Sequence, residues 1–358
     1  MTITMPRRRR HTLPAIALTA LLALVGCAAA GPESLPEVEK APEAADGLLP
    51  AAEGKTVYPL TVTSAVGEIV IEKRPGRVVM ASSWDGDLFA ALGVTPVATD
   101  EQITFYPWVL DRLPAEIETL WPVGDETYPA ETIATTSPHL IVDTGATDPV
   151  EVQKISAVAP VLGAPEATAA DSTWQDRILM LGEVLDLSDR AQKVIDDYDA
   201  TFEQIRSEHP KFAGKTVDYV TFYGTEWGAD LLNIAGSDAE ALFSKLGFDA
   251  NPNAANTAFE EGISDELWGT LTGDVLVISN QDAAGFADFY ENPLLQGLES
   301  VKSGRVVILD VETTQWTVSH DGELTEFTGH FGRAFNYGPL AHLELAALVT
   351  PLLAEALR

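Results

Sequence analysis

The side chains best suited to chemistry in this chain are aromatic groups that follow predicted strands. Trp84 comes after a strand that ends near Met80, and Tyr106 and Trp108 come after the next strand. In the second half of the chain, the corresponding positions hold Tyr223, Trp227, Trp316 and His320. Flat aromatic faces enclose large, partly apolar ligands and attract positive charge. We therefore expect these seven residues to contribute to a ligand-binding site.

Catalytic chemistry has weaker support in the sequence. Ser319, His320 and Asp321 are consecutive, but neighbours in sequence seldom point at one another, and no Gly-x-Ser-x-Gly motif occurs. Paired carboxylates are unavoidable among 54 Asp and Glu residues, so they do not indicate a glycosidase. The single cysteine, Cys27, excludes an intrachain disulfide and a thiolate zinc cluster. We expect neither enzymatic activity nor a resident cofactor.

The net charge limits the classes of partner. The chain has 358 residues, with 22 Lys and Arg against 54 Asp and Glu, which gives a formal charge of -32. Such a surface repels phosphate backbones, so we expect no nucleic-acid partner. At 46% hydrophobic residues the chain has enough apolar side chains for a large core.

The elements that must position the aromatic residues alternate between strand and helix. This alternation predicts an α/β fold made of mostly parallel, doubly wound sheets. Residues 174–209 have apolar positions at helical spacing, which predicts one long helical connection. We therefore predict two doubly wound α/β lobes joined by a single long helix. The predicted boundaries are an N-terminal lobe at 55–173, a linker at 174–209 and a C-terminal lobe at 210–358.

A weak internal repeat relates the two lobes. Glu131 opens a short helix before the strand run that starts at His139, and Glu266 has the same spacing to the run that starts at Asp274. Acidic residues stabilise the N-terminal turn of a helix through its dipole, which is the simplest reason for both glutamates.

The N-terminus has the layout of an export signal. A basic block at residues 7–10 precedes an apolar run that is too short to span a membrane with normal flanks. The run ends Leu24-Val25-Gly26-Cys27 and resembles the signal of bacterial lipoproteins, in which the cysteine is lipidated. The resemblance implies a signal peptide at 1–26 and lipidation of Cys27. The acidic, Ala- and Pro-rich stretch at 27–54 is typical of a flexible tether.

The folded region resembles substrate-binding proteins of bacterial ABC importers for iron-siderophores, haem or cobalamin. The resemblance runs from Tyr58 to Arg358 and rests on motifs in a specific order. These are Arg77-Val78-Val79, Ala91-Leu92-Gly93-Val94-Thr95-Pro96-Val97, Ser137-Pro138-His139-Leu140-Ile141-Val142, Val158-Ala159-Pro160-Val161, the 179–205 bridge and the final helix. Tyr106-Pro107-Trp108 is most similar to the iron-siderophore members.

This resemblance implies a ligand cleft between the lobes and a monomeric protein that delivers its ligand to an ABC permease. It also implies two acidic docking residues, one on each lobe, for arginine pockets of the permease. By position these are Glu131 and Glu266. Haem and cobalamin remain alternative ligands of the same fold.

Charge narrows the expected ligand. The predicted cleft loops are rich in acids, and their nearest cations are Arg112 and Arg333. A neutral or cationic ferric siderophore therefore fits better than an anionic triscatecholate.

Related proteins bind bare zinc or manganese through three histidines and a carboxylate. Here His139 begins a strand, and His320, His330 and His342 all lie in the second lobe, so we expect no histidine set that spans the cleft.

Overall fold

The computed structural model describes residues 47–122, 128–165, 172–282, 284–312, 315–320, 323–328 and 338–358. Side chains are described in these ranges except at 260, 261 and from 310 to 328. Cys27 and Arg333 lie outside the described residues.

The N-terminal lobe begins with an antiparallel hairpin, β1 (Leu60–Ser64) and β2 (Gly67–Ile71). A five-stranded parallel sheet of order β5-β4-β3-β6-β7 follows. Its strands are nearly all buried, as expected for a parallel sheet covered on both faces. Its elements are β3 (Val78–Met80), α1 (Gly86–Ala91), β4 (Ala98–Asp100), α2 (Pro107–Leu110), β5 (Thr119–Trp121), α3 (Ala130–Thr135), β6 (Leu140–Val142), α4 (Pro149–Ser156) and β7 (Val161–Leu162).

The predicted helical linker at 174–209 consists of two helices, the second of which is the long one. They are α5 (Trp174–Val184) and α6 (Ser188–Glu208). The chain breaks at Asp186, which has a positive φ of 55° and a buried carboxylate that accepts the N–H groups of Gly54, Lys55 and Thr56. Gly182 permits the close packing of the two helices, because a Cβ there would lie 2.6 Å from the Ala191 Cβ. Apolar spacing alone does not reveal this break, since leucines flank Asp186 on both sides.

The long helix α6 joins the cores of the two lobes. Ala191 near its start packs in the N-terminal core, whereas Tyr198, Phe202 and Ile205 pack in the C-terminal core. Its 21 residues correspond to a length of about 30 Å. The two-lobe α/β architecture predicted from the sequence, with one long connecting helix, is confirmed.

The C-terminal lobe is built on a mixed sheet of order β13-β12-β11-β10-β8-β9. Strands β8, β10 and β11 are parallel, and β9, β12 and β13 are antiparallel additions at the edges. Its elements are β8 (Val217–Gly224), β9 (Gly228–Leu231), α7 (Asp238–Leu246), α8 (Asp265–Trp268), β10 (Val275–Asn280), α9 (Phe286–Tyr290), α10 (Pro293–Gln296), α11 (Glu299–Lys302), β11 (Val306–Glu312), β12 (Gln315–His320), β13 (Glu323–Thr328) and α12 (Pro339–Ala356).

The last helix, α12, is long and apolar enough by composition to cross a membrane, but over half of it is buried within the fold. Leu340 and Ala341 in its first turn belong to the N-terminal core, and Leu345 and Leu353 belong to the C-terminal core. This helix is therefore a second apolar connection between the lobes.

Residues 47–54, predicted as the end of the tether, contact the folded body in the structure. Leu48 and Leu49 are buried in the N-terminal core. The Glu53 carboxylate accepts the N–H groups of Asp189 and Arg190 at the start of α6, at 2.7 and 3.0 Å. Two apolar side chains and a helix-capping carboxylate therefore attach residues 47–54 to the folded body.

Candidate functional site

A cavity of about 500 Å³ lies between the two lobes. This volume falls within the range of sites for small molecules. The cavity is lined by Trp84, Asp85 and Leu88 from the N-terminal lobe, Trp174, Arg177 and Tyr198 from the connecting helices, and Asp238, Glu240, Phe243, Lys245, Asp249 and His342 from the rest of the chain, among others. Of the predicted binding residues whose side chains the structure describes, Trp84 is the one found in the cavity lining.

Trp84 is held at the cavity by the turn that follows β3. Residues Ser83–Asp85 form a single 3-10 turn whose start is capped by the Ser82 hydroxyl, which accepts the Trp84 N–H at 3.3 Å. The Ser83 N–H donates to the Asp100 carboxylate at the end of β4, at 2.8 Å. This turn leaves Trp84 51% exposed at the cavity.

Buried carboxylates lie directly behind Trp84. Asp85 accepts the N–H of Thr144 at 2.8 Å and also its hydroxyl, and Asp143 accepts the Tyr128 hydroxyl at 2.8 Å. Burial and the nearby charge of Asp143 raise the pKa of Asp85 to about 7. This network fixes the ends of β3 and β6 at the edge of the sheet that faces the cavity.

Arg177 on α5 lies between acids of the two lobes. Burial raises the pKa values of Asp85 and Asp143, and of Asp238 on α7 in the other lobe. The positive charge of Arg177 partly offsets this increase for all three acids. The guanidinium therefore interacts with carboxylates on both sides of the cavity. The ionisable residues that line the cavity thus include four acids, Asp85, Asp238, Glu240 and Asp249, and two cations, Arg177 and Lys245.

The back of the cavity is aromatic, and its residues lie on helices, not after the strands where the sequence predicts the site. The Trp174 and Tyr198 rings meet edge to face at 4.9 Å, and the Tyr198 hydroxyl lies 3.1 Å from the His342 Nδ1. These residues belong to helices α5, α6 and α12. In the sequence, the helical spacing of Tyr198 indicates only a core position, which gives no signal for a site.

Tyr106 and Trp108 are core residues, not cleft walls. Tyr106 is fully buried, and Trp108 is 6% exposed with its ring centroid 5.5 Å from that of Tyr106. The Trp108 Nε1–H donates to the Asp87 carboxylate at 2.7 Å. Their backbone follows the end of a strand, where a cleft residue is expected, but helix α2, which starts at Pro107, directs both rings into the lobe.

The predicted residues of the C-terminal lobe differ in exposure. Trp227 lies in the turn between β8 and β9 and is 77% exposed. Tyr223 is half-buried, and burial together with the charge of Asp230 raises its pKa to about 12. Neither residue is among the side chains that line the 500 Å³ cavity.

Trp316 and His320 belong to strand β12, not to a loop, and their side chains lie outside the described residues. In the sheet register, Trp316 pairs with Val311 near the carboxyl end of β11, at the edge where a ligand is expected. Ser319 pairs with Ile308, so His320 lies toward the opposite end of β11. The register therefore places Trp316 and His320 toward opposite ends of the parallel strands, and Val217, the first residue of β8, lines the cavity at the amino end.

Arg112, one of the two cleft cations considered from the sequence, is paired with Glu344 of α12. Among the described side chains, no group of three His, Cys, Asp or Glu residues is arranged to hold a metal ion. His139 instead accepts the N–H groups of Gly76 and Arg77 at the start of β3, at 3.0 and 3.2 Å.

Glu131 and Glu266 occupy equivalent positions. Each is exposed and is the second residue of a short helix, α3 or α8. The strands that follow, β6 and β10, start at the same sequence distance from the glutamate and pair with the first parallel strand of their lobe. The structure thus places one exposed acid at the same topological point of each lobe.

A second groove, of about 740 Å³, lies entirely on the N-terminal lobe. It runs between hairpin strand β2 and helix α4, and Val70 and Val150 contribute to its lining. Among the side chains that the structure describes, none of the predicted ligand-binding residues lines this groove. The cavity between the lobes is therefore the better candidate site.

Unfolding should depend on pH through Asp87, a buried carboxyl of α1. Burial raises the pKa of Asp87 from 3.8 to about 7, so the folded protein binds a proton more tightly than the unfolded chain. The resulting stability is fully present below pH 4 and is lost as pH rises through 7, by up to roughly 4 kcal/mol. Urea unfolding at pH 5 and pH 8 measures this difference.

Two variants distinguish the source of the pH dependence. Asp87→Asn is expected to reduce the dependence between pH 5 and 8, and Asp85, whose pKa is also raised to about 7, should account for part of what remains. At Asp186, burial raises the pKa, but the backbone N–H donors have the larger combined effect and the pKa is lowered. Asp186→Asn should therefore remove stability that is present at neutral pH and lost in acid. An unchanged slope in Asp87→Asn would contradict the assignment.

Comparison with known proteins identifies the family. The sequence profile of the periplasmic binding protein family matches residues 78–313. A probable siderophore-binding lipoprotein of Bacillus subtilis, YfiY, is 27% identical over 179 residues, which cover 50% of this chain and 53% of that protein. The chain thus spans about half the length of this relative. The iron(3+)-hydroxamate-binding protein FhuD of Bacillus subtilis is 23% identical over 293 residues, which cover 78% of this chain and 88% of that protein.

A solved structure shows the same fold. The periplasmic solute binding protein from Mycobacterium smegmatis superposes with a TM-score of 0.66 at 21% identity, covering 84% of this chain and 99% of that chain. The family expected from the sequence motifs, one of extracytoplasmic binding proteins, is confirmed. The chain belongs to the periplasmic binding protein family.

Proposed function

We propose that this protein captures a ferric siderophore outside the cytoplasm and delivers it to the permease of an ABC importer. The observation that carries the proposal is the cavity between the lobes, which combines the exposed indole of Trp84 with an acidic lining. The names of the two Bacillus relatives, one siderophore-binding and one iron(3+)-hydroxamate-binding, support the same ligand class.

The ligand is neutral or positively charged. The carboxylates of Asp238, Glu240 and Asp249 line the cavity, and the charge of Lys245 is partly offset by its ion pair with Asp199. A ferric trishydroxamate with a protonated amine gains from this field, whereas a triscatecholate anion is repelled. Recognition uses shape, aromatic contact and hydrogen bonds to the organic shell of the chelate, and the protein does not coordinate the iron.

The charge preference should appear as a salt effect. At low ionic strength we expect a cationic ferric trishydroxamate to bind more tightly than a ferric triscatecholate, and the difference should shrink in salt because the field is screened. Competition titrations at two salt concentrations measure the ratio of the two dissociation constants. Tighter binding of the catecholate at low salt would refute the charge preference and leave the fold unaffected.

The permease is contacted through Glu131 and Glu266. Their exposure and their equivalent positions on the two lobes support a symmetric pair of docking points, each facing an arginine pocket of the permease. A carboxylate paired with arginine across an interface orients a complex more than it tightens it. The protein acts as a monomer in this arrangement.

Lipidation of Cys27 anchors the protein to the outer face of the membrane. Cys27→Ser is expected to move the protein from the membrane fraction into the medium, because a lipid chain supplies the anchoring free energy. Ser34→Ala, in the same acidic stretch, should leave the protein in the membrane fraction. Fractionation with immunoblotting checks both variants. A Cys27→Ser protein of mature size that stays with the membrane would overturn the proposed anchor.

A further inference from the structure

The first turn of α12 is held by a residue of the other lobe. The residue before the helix is Gly338, with a positive φ of 107°, and it has no side chain to cap the helix. The Ala341 N–H instead donates to the Asp87 carboxylate at 2.7 Å, across 254 residues of sequence. The first N–H groups of a helix lack partners within it, so the Asp87 oxygen satisfies one of these donors.

Asp87 is itself fixed on both carboxylate oxygens. Its Oδ2 accepts from Ala341, and its Oδ1 accepts the Trp108 Nε1–H at 2.7 Å. Both contacts are buried. Because Trp108 packs in the N-terminal core, the carboxylate cannot turn without breaking a buried hydrogen bond.

An outer ion pair reinforces the same contact. Arg112 pairs with Glu344, one helical turn beyond Ala341, and donates to the Trp108 carbonyl at 2.7 Å. Asp87 and Arg112 of the N-terminal lobe thus both contact the start of α12, and both also contact Trp108. Asp87 also follows the turn that carries Trp84, with Gly86 alone between that turn and itself.

We infer that Asp87 is a positioning residue that locks the start of α12 to the N-terminal lobe and so fixes the spacing of the lobes around the cavity. With α6, the lobes then have two rigid connections, which meet at the Tyr198–His342 contact. A lobe held at two separate helices has less freedom to rotate than a lobe held at one. The contact between Asp87 and Ala341 thereby sets the position of Trp84 relative to His342 across the cavity.

The test measures the distance between the lobes in the unliganded protein. Spin labels are attached to Glu131→Cys and Glu266→Cys, both exposed helix positions, in a chain that carries Cys27→Ser so that no other thiol is present. Pulsed electron resonance then gives the distribution of distances between the labels. We expect a single narrow distribution for the chain with Asp87 intact, and a distribution broader by about twofold or more with Asp87→Asn.

A matched control separates this role from general stability. Asp186→Asn also removes a buried carboxylate that accepts backbone N–H groups, but all three donors lie in one segment before β1. It should lower the melting temperature and leave the distance distribution narrow. Arg112→Gln keeps the buried contacts and should broaden the distribution less than Asp87→Asn does.

Unchanged distributions in both Asp87→Asn and Arg112→Gln would overturn the inference. If Asp87→Asn fails to fold, Arg112→Gln decides alone, because its side chain is partly exposed and its loss spares the core. No ligand is needed, so the result is independent of whether the proposed siderophore function is correct.

Discussion

Reversal of either docking glutamate is expected to abolish uptake while ligand affinity stays within a few-fold of its original value. Glu131→Lys or Glu266→Lys would place a cation against the proposed arginine pocket of the permease, and like charges across an interface cost several kcal/mol. A penalty of about 2 kcal/mol already lowers complex formation by roughly 30-fold. Radioactive iron uptake by cells, compared with titration of the purified variant, measures the two effects separately.

Two other exposed glutamates serve as controls for charge reversal. Glu151 in α4 and Glu299 in α11 also lie in the first turn of a helix, one in each lobe, but away from the equivalent positions. Glu151→Lys and Glu299→Lys should leave uptake largely intact. A loss of ligand affinity in Glu131→Lys or Glu266→Lys would place that residue in the ligand site and contradict the docking role.

Removal of the Trp84 indole should weaken ligand binding by about 1 to 3 kcal/mol, or roughly 5- to 150-fold, through the apolar area lost from the cavity. Trp84 is half-exposed in the structure, so Trp84→Ala should change the melting temperature little. Leu120→Ala, which removes a similarly exposed apolar side chain from β5, is the control. Equal affinities for Trp84→Ala and the original protein would remove Trp84 from the site.

The lobes and their order were predictable because alternating strands and helices are a local property of the sequence. The equivalence of Glu131 and Glu266 was also visible, since each glutamate has the same spacing to a buried strand. In the structure, each of those strands pairs in parallel with the first parallel strand of its lobe. The equal spacing therefore corresponds to equivalent positions in the two lobes. Local patterns therefore predicted which residues lie at corresponding points of the fold.

Side-chain direction and long-range contacts were not predictable in this way. The end of a strand locates the backbone of Tyr106 and Trp108, but the short helix α2 decides that both rings enter the core. The sequence also gives no signal that Asp87 contacts Ala341, because the two residues are 254 positions apart. Tyr198 and His342 reach the cavity from helices whose apolar spacing indicates only burial.

The central claim is that the cavity between the lobes binds a ferric siderophore. Titration of the purified protein, followed by tryptophan fluorescence, against a ferric trishydroxamate, a ferric triscatecholate, haem and cobalamin tests it most directly. Saturable binding at one ligand per protein, tightest for the trishydroxamate and weakened by Trp84→Ala but not by Leu120→Ala, is the predicted result. Saturable binding of haem or cobalamin without binding of either ferric siderophore would contradict it.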